Sequence, residues 1–464
     1  METFCAYINW LNSYLWGPPM LILLVCTHLY LTFKTGFIQR KVFLGIKLSV
    51  KQDSKAEGDI HCFDALATAL AATIGTGNIV GVGTAIALGG PGAIFWMWVS
   101  GVFGIATKYA ESLIAIKYRV KTEKGTMLGG AMYALERGLK MKWLGTLFAL
   151  FGCLASFGIG STVQSNAIAT VLNRNMHIPF LVSAIVISIF LALVIVGGIK
   201  SISRVCTKFV PLMSILYVVG CLIVLLKNIN YILPAISEII NSAFQPRAAG
   251  GGFIAATFMS AARFGIARGL FSSESGMGSA AIAAVAAKTR NPFRQALVSS
   301  TGTFWDTVVI CAMTGVVIVS GILANPGLID IHNVDGSILT SIVFGQVKYI
   351  GPIILTFGLI LFAFTTTLGW AYYGERCIEY LFGVKANIPY RIIYTATTFL
   401  GAVISLNIVW GLADTFNALM AIPNLVAVLL LSNLVAAETK HYLTGDNIDK
   451  IDNTPIALYT LKSE

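Results

Sequence analysis

An all-α polytopic membrane protein is the fold class this sequence predicts, and three observations carry the prediction. Of 464 residues, 56% are hydrophobic and 11% charged, with a mean hydropathy of +0.79; a soluble domain has about a quarter of its residues charged. Apolar runs recur at the ~20 residues a helix needs to cross a bilayer. Lysines and arginines crowd alternate connections between those runs, which is the pattern of cytoplasmic loops.

Reading the runs against polar punctuation gives about eleven spans, near 15–34, 64–88, 91–118, 143–172, 178–198, 206–226, 250–285, 295–323, 350–380, 390–405 and 408–435. The first follows "METFCAYINWLNSYLW", which has no basic n-region, so no cleaved signal peptide is expected. The segment 38–50, with "KVFLGIKLSV", reads as an amphipathic helix lying along the cytoplasmic surface. The runs at 250–285 and 350–380 exceed one span and predict tilt, a break or an extension beyond the bilayer.

Orientation follows from the basic residues. Lys34, Arg40, Lys41, Lys47, Lys51 and Lys55 follow the first span, and Arg119, Lys121, Lys124, Arg137, Lys140 and Lys142 follow the third. Lys200, Arg204 and Lys208, then Lys288, Arg290 and Arg294, then Arg376, Lys385 and Arg391 follow the fifth, seventh and ninth. The opposite connections hold Arg174, Lys227, Arg247 and Lys348. The N-terminus is therefore expected outside and the C-terminus in the cytoplasm of a multi-pass membrane protein. The same bias accounts for the net charge of +11 without nucleic acid as a partner. The bilayer is the expected partner, and the oligomeric state is left open.

Several function classes fall away. The eight cysteines are scattered singly without metal-ligand spacing and read as packing residues. The hydrophilic segments are too short for a nucleotide-binding domain, which argues against ATP-driven transport. An intramembrane enzyme needs a convergent acid, base or nucleophile set. His61, His177, His332 and His441 lie near span ends, and His28 stands alone, so no enzyme is expected.

Two stretches interrupt otherwise helical runs. "TIGTGN", within "AATIGTGNIVG" at 71–81, stacks poor helix formers in the second span, and "GLFSSESGMGS" at 269–279 does so in the seventh. Irregular backbone survives at membrane depth only where protein or a wet cavity surrounds it. The two are five spans apart in order, so they cross the membrane in opposite senses. Interrupted helices at matching positions of two inverted halves point to a secondary-transporter site. The amides freed there suit a carboxylate, and the carbonyls suit an ammonium or Na⁺. A continuous pore fits two midplane breaks less well than a carrier does. Gly77 and Gly81 also form a GxxxG pair, whose plain reading is tight helix packing. "GTGNIVG" lacks the spacing and the preceding strand of a dinucleotide fingerprint. Glu274 is an acid at membrane depth, with Arg268 as its nearest candidate partner.

"FAFTTTLGW" at 362–370 is a third polar patch. Its threonines either bond back to their own helix or supply hydroxyl oxygens to a hard cation. In the second case Thr366 and Thr367 would act with carbonyls near Ala71 and Ile74. Lys108 and Glu111 are three apart and suited to pair on one helix face. Asp306 and Asp414 read as helix-end or gate residues, not ligands, and Asp64 as a helix cap.

"LATALAATIGTGNIVGVGTAIALGGPGAIFWMW" (66–98), "VQSNAIA" (163–169), "GGIKSISRV" (197–205), "ARGLFSSESGMGSA" (267–280), "LFAFTTTLGWAYYGERC" (361–377) and "LMAIPNL" (419–425) together resemble the alanine or glycine:cation symporter family. The resemblance implies a leucine-transporter-type fold of five-plus-five inverted repeats with one extra N-terminal helix. Residues 1–60 would hold the extra helix and linker, 61–230 the first repeat, 245–435 the second and 436–464 the tail. It implies import of alanine or glycine with Na⁺ across the cell (inner) membrane by alternating access, with H⁺ coupling through Asp64 or Glu274 as the alternative.

Carried onto this chain, the resemblance places the substrate carboxylate against Thr73, Gly75, Thr76 and Gly77, assisted by Gln164. The ammonium would meet carbonyls around Phe271 and Ser272, with Thr366. Phe271 and Trp370 would wall a small side-chain pocket. Ala71, Ile74, Ala363, Thr366 and Thr367 would hold one Na⁺, and Asn78 would belong to a second site. Ser161, Ser273, Ala131, Ala281 and Asp64 depart from the family pattern, and Ser161 and Ser273 are expected near the cavity.

Overall fold

The computed structural model describes residues 2–51, 56–123, 125–245, 257–328, 336–404, 407–444 and 447–459. Helix dominates because backbone groups in hydrocarbon must bond within their own segment. Among the described residues seven helices are long and apolar enough to cross a bilayer, and a bent pair, Cys62–Thr73 with Gly77–Gly89, makes eight. The other predicted spans are also helical. Phe180–Ile195 and Asn387–Val403 are short, and Phe258–Ser273 with Ser279–Val285 carries Arg263, Arg268 and Glu274, which lower its hydropathy. The predicted start of the seventh span, 250–256, lies outside the described residues, as do Lys55, Lys124 and Arg247.

Two boundaries depart from expectation. The sixth span begins at Gly198, not near 206, so Lys200, Arg204 and Lys208 ride on its first turns. Hydropathy also missed Ile232–Phe244 and Gly336–Gly345, which are too short to register as spans. The expected surface helix forms as a 3₁₀ turn Ile38–Lys41 and a helix Val42–Ser49. It lies so close to the eighth span that a Cβ on Gly45 would sit 2.6 Å from the Leu297 carbonyl.

The third span, Ala93–Lys117, is the buried centre, and the sixth, Gly198–Lys227, faces lipid: 83% against 33% of the apolar window is buried. Among the described residues four π-helical stretches occur, at Gly77–Gly81, Ala134–Gly138, Ser156–Thr162 and Phe304–Cys311. Such turns widen a helix locally and gather at functional sites.

On the side of the basic loops, the lead-in to the second span is zipped to the end of the seventh. Ile60 and Ala287 form a parallel bridge, and Lys288 N–H donates to the Ile60 carbonyl at 2.8 Å. Arg119 donates to the carbonyls of Val285, Ala287 and Glu57 across the junction. A small sheet covers it: β1 (Val120–Thr122) pairs antiparallel with β2 (Met127–Leu128) and parallel with β3 (Ala457–Tyr459) of the tail.

Candidate functional site

The second span breaks where the sequence stops favouring helix. Cys62–Thr73 ends as Ile74 leaves the α region (ψ 95°), and the halves meet at 53°. The Gly75 N–H turns to the side-chain Oδ1 of Asn78 at 2.9 Å instead of to the carbonyl four residues back, that of Ala71. Thr76 and Gly77 open the second half, so their amides sit at the positive end of its dipole. Thr73 Oγ1 bonds back to the carbonyls of Ala69 and Leu70.

The ninth span, Ile350–Phe382, closes on this break. A Cβ on Gly369 would lie 2.7 Å from that of Ala72. The approach brings Thr366 Oγ1 to 3.4 Å from the Ile74 carbonyl while it donates to Phe362 O at 2.9 Å. Thr367 Oγ1 donates to the Ala363 carbonyl at 3.0 Å. The three threonines bond back to their own helix, and Thr366 Oγ1 also faces the Ile74 carbonyl of the first break. Thr366 Oγ1 thus lies by the Ile74 carbonyl and Thr367 Oγ1 on that of Ala363, with Ala71 buried in the turn before the break; hydroxyl and carbonyl oxygens are the donors a hard cation prefers. The fit holds for Na⁺ on that donor chemistry.

The second break begins after Ser273. Glu274 takes a left-handed conformation (φ 53°), and Gly276 and Gly278 follow at φ 96° and 77°. The Phe271 and Ser272 carbonyls belong to the last turn of Phe258–Ser273, at the negative end of its dipole. The two breaks touch. A Cβ on Gly77 would stand 3.7 Å from both Phe271 Cδ1 and Ser272 Cα, so glycine lets them meet. Phe271 is half-buried beneath the Arg268 guanidinium, and Trp370 is buried in the ninth span against Tyr373.

The charged residues act differently from expectation. Arg268 does not pair with Glu274. Glu274 accepts from Ser279 Oγ, and Arg268 lies over the Phe271 ring. Lys108 and Glu111 do not pair along their own helix either. Both reach across to the second break: Lys108 Nζ donates to Ser273 O at 2.8 Å, and Glu111 Oε1 accepts from Gly276 N–H at 2.8 Å and Asn424 Nδ2 at 2.6 Å. Asn424 also donates to the Gly276 carbonyl. A loop with unpaired groups has a larger claim on a buried charge than a neighbour on the same helix does.

Asp306 is a candidate site residue that sequence reasoning passed over as a ligand. It is fully buried on the π-helical stretch of the eighth span and touches both breaks, accepting from Asn78 Nδ2 at 2.7 Å and Ser272 Oγ at 3.0 Å. Its own signal was an acid at membrane depth. Asp64 is not a cap: His61 precedes the helix, and Asp64 Oδ1 accepts from Thr207 Oγ1, tying the second span to the sixth. Ser161 bonds to Thr397 and Thr398 of the tenth span, while Ser273 Oγ accepts from Ser275 N–H within the second break. Gln164 is buried, and its Nε2 is committed to the Ile159 carbonyl at 3.1 Å. Its unpartnered Oε1 is an acceptor, so its free atom suits an ammonium better than the carboxylate it was expected to assist.

A family model described as the sodium:alanine symporter family matches residues 1–454. The sodium/alanine symporter AgcS of Methanococcus maripaludis is 50% identical over 447 residues, which cover 95% of this chain and 97% of the relative. An uncharacterized transporter of Haemophilus influenzae is 49% identical over 456 residues, covering 97% and 99%. Among solved structures, MhsT in complex with L-phenylalanine is similar at a TM-score of 0.57 and 14% identity, covering 82% of this chain and 93% of that one. That likeness bears on fold alone, and the fold is of the leucine-transporter type. With two interrupted helices in contact and a family match over nearly its whole length, this chain belongs to the sodium:alanine symporter family, a family of transporters and not of enzymes.

Proposed function

We propose that this chain imports alanine and glycine across the cell membrane together with Na⁺, by alternating access. The contact of the two breaks at Gly77 carries the reading: one offers amides, the other carbonyls, and a zwitterion needs both. The carboxylate lies against Thr73, Gly75, Thr76 and Gly77. The ammonium lies against the Phe271 and Ser272 carbonyls, Thr366 and Gln164 Oε1. Phe271 and Trp370 limit the side chain to a methyl group or less.

One Na⁺ is held by the carbonyls of Ala71, Ile74 and Ala363 with the hydroxyls of Thr366 and Thr367. It draws the second and ninth spans together and so orders the first break. A second involves Asn78. An inward Na⁺ gradient and a negative interior then drive uptake, since one charge is worth ~2.3 kcal/mol per 100 mV. The two repeats span 61–230 and 245–435, behind an extra helix in 1–60 and before a cytoplasmic tail at 436–464. The N-terminus lies outside, which puts the junction of Ile60 with Ala287 at the inner face as a closed gate.

The test is uptake of L-alanine, D-alanine, glycine and leucine into proteoliposomes, with Na⁺ or with choline in its place. Na⁺-dependent uptake of the small substrates and exclusion of leucine are expected. Leucine uptake equal to alanine's overturns the pocket. Equal uptake in choline with an inward proton gradient overturns the ion and leaves H⁺ coupling.

A further inference from the structure

A crevice of about 420 Å³ runs along the first half of the second span. Leu66, Leu70 and Ile74 of that span form its floor, and Val218 of the sixth span and Val309 of the eighth wall it. Ile215, Val219 and Trp305 on its rim are exposed apolar side chains of spans, so it opens toward hydrocarbon. The lining is apolar apart from Ser49 and Ser214, and the Ser49 hydroxyl already bonds the Ile46 carbonyl at 2.7 Å. A polar solute would lose its hydrogen bonds there.

Ser49, Val50 and Phe63 also line a second cleft of about 240 Å³, so the two join at the end of the surface helix. That cleft holds Lys51, His61 and Asp64. Lys51 and His61 are exposed, and the 3.4 Å contact of Lys51 with Asp449 is a surface ion pair of the weak kind. Asp64 is half-buried and oriented by Thr207. The depth of the groove matches one leaflet. Cys62–Thr73 is 12 residues long, so it rises about 18 Å from the polar cleft to Ile74. Half of a ~30 Å hydrocarbon core is about 15 Å.

We propose that this groove binds one phospholipid of the leaflet on the side of the basic loops, with an acyl chain reaching Ile74. The phosphate meets Lys51 and His61, and a headgroup ammonium meets Asp64. A headgroup that carries phosphate and primary ammonium together matches this pattern, whereas a purely anionic one brings like charge to Asp64. Ile74 gives the site a consequence. It closes the deep end of the crevice, and its carbonyl lies 3.4 Å from Thr366 Oγ1 at the first break. A chain packed on Leu66, Leu70 and Ile74 holds that half-span in place, with the junction of Ile60 and Ala287 closed. The lipid thereby favours the conformation that assembles the cation donors, and by linkage Na⁺ favours the lipid. This coupling rests on the Na⁺-transport reading; the lipid site itself does not.

The test uses the full-length chain in phosphatidylglycerol nanodiscs. Trace phosphatidylethanolamine or phosphatidylglycerol with a photoreactive tail end is added, illuminated and mapped by peptide. The phosphatidylethanolamine probe should label the crevice at 66–74 and 214–219 in preference to the other probe. Val218→Trp fills the groove with its own ring, so crevice label should be lost while label on the exposed Leu226 stays. If Val218→Trp fails to fold, Ser214→Phe on the same wall should do the same. Asp64→Asn keeps an acceptor for Thr207 and should erase the preference between probes. In proteoliposomes, phosphatidylethanolamine should raise the wild-type Na⁺ affinity for alanine uptake about 5-fold or more, and Val218→Trp should not respond to it.

Equal crevice label in wild type and the folded filled variants overturns the site, and equal capture of both probes overturns the headgroup match. An unlabelled crevice in a chain that sizes as a dimer assigns the groove to a second copy and also overturns the proposal. A labelled crevice with lipid-insensitive Na⁺ affinity overturns the coupling. No Na⁺-dependent uptake in any lipid would instead refute the transport reading, and the labelling would still decide the lipid site.

Discussion

Gly75→Ala isolates the cation site from the rest of the break. The added methyl carbon would sit 2.5 Å from Thr366 Oγ1. Comfortable non-bonded contact begins near ~3.5 Å, so the overlap is about 1 Å. Thr366 is β-branched and stiff about χ1, and its hydroxyl is already bonded to the Phe362 carbonyl. It therefore escapes the methyl only by turning away from Ile74. Overpacking of this kind costs about 1–3 kcal/mol. Without the cation the hydroxyl is satisfied by Phe362 alone, so most of that cost falls on the cation-bound state. Na⁺ affinity should drop about 5–150-fold. Gly81→Ala is the internal control: it lies in the same interruption, has ordinary helical angles, and nothing stands within 4 Å of the new carbon. It should keep the wild-type Na⁺ curve and gain up to about 1 kcal/mol in helix preference. The assay is Na⁺-dependent alanine uptake in proteoliposomes, with thermal unfolding as the check on folding. A wild-type Na⁺ curve in folded Gly75→Ala refutes the placement of Thr366. Equal loss in both variants assigns the effect to backbone stiffness.

Thr367→Ala should also weaken Na⁺ dependence, by about tenfold if one charge–hydroxyl contact of 1.5 kcal/mol or so is lost; an unchanged Na⁺ titration removes Thr367 from the ion site. Lys108→Met leaves the Ser273 carbonyl unpaired and two nearby carboxylates, Glu111 and Glu274, without their buried cation. Breaking such a cluster costs about 3–5 kcal/mol, which should appear as a large fall in thermal stability, and a variant as stable as wild type would show that Lys108 does not hold the second break. Arg119→Ala removes donors to Val285, Ala287 and Glu57 at the inner junction. Cys62, now buried and donating to the Lys288 carbonyl, should then react faster with a maleimide than in wild type, against a Cys62→Ser background; an unchanged rate would mean that Arg119 does not keep the junction closed.

The sequence made the spans and both interruptions readable for one reason: each is a local property. Twenty apolar residues or six poor helix formers declare themselves without reference to anything distant. The partnership of Thr366 with the first break was also within reach, because three consecutive threonines are a local oddity. What stayed hidden was partnership across the chain. Nothing in "FWDTVV" says that Asp306 finds Asn78, 228 positions away, or that Lys108 prefers a distant carbonyl to the glutamate one turn along. Helical spacing is a good guide only when neither residue has a better offer from a loop with unpaired groups. Ile232–Phe244 and Gly336–Gly345 were missed because hydropathy windows are tuned to the thickness of a bilayer.

The two breaks are built from different materials, and the difference argues for a division of labour. The second is clamped by buried charge: Lys108 on Ser273, Glu111 on Gly276, Asn424 on both Glu111 and Gly276, and Glu274 on Ser279. Removing any one of those groups strands another charge, so the geometry is fixed by mutual need. In the first the broken backbone itself meets only neutral groups, an amide oxygen on Gly75 and a hydroxyl 3.4 Å from Ile74, and the acid Asp306 reaches it only through the Asn78 amide. Neutral contacts of that kind are each worth about 1 kcal/mol and exchange partners readily. A cation that can offer several oxygen contacts at once will rearrange the first break long before it disturbs the second. The responsive half of the site is therefore the Ala71–Asn78 stretch, and the 271–279 stretch is the template against which it closes. On this view, suppressor mutations that restore Na⁺ affinity to Gly75→Ala should fall on the ninth span around Thr366 and not in the clamp around Ser273; a suppressor set concentrated at Lys108, Glu111 or Asn424 would reverse the assignment.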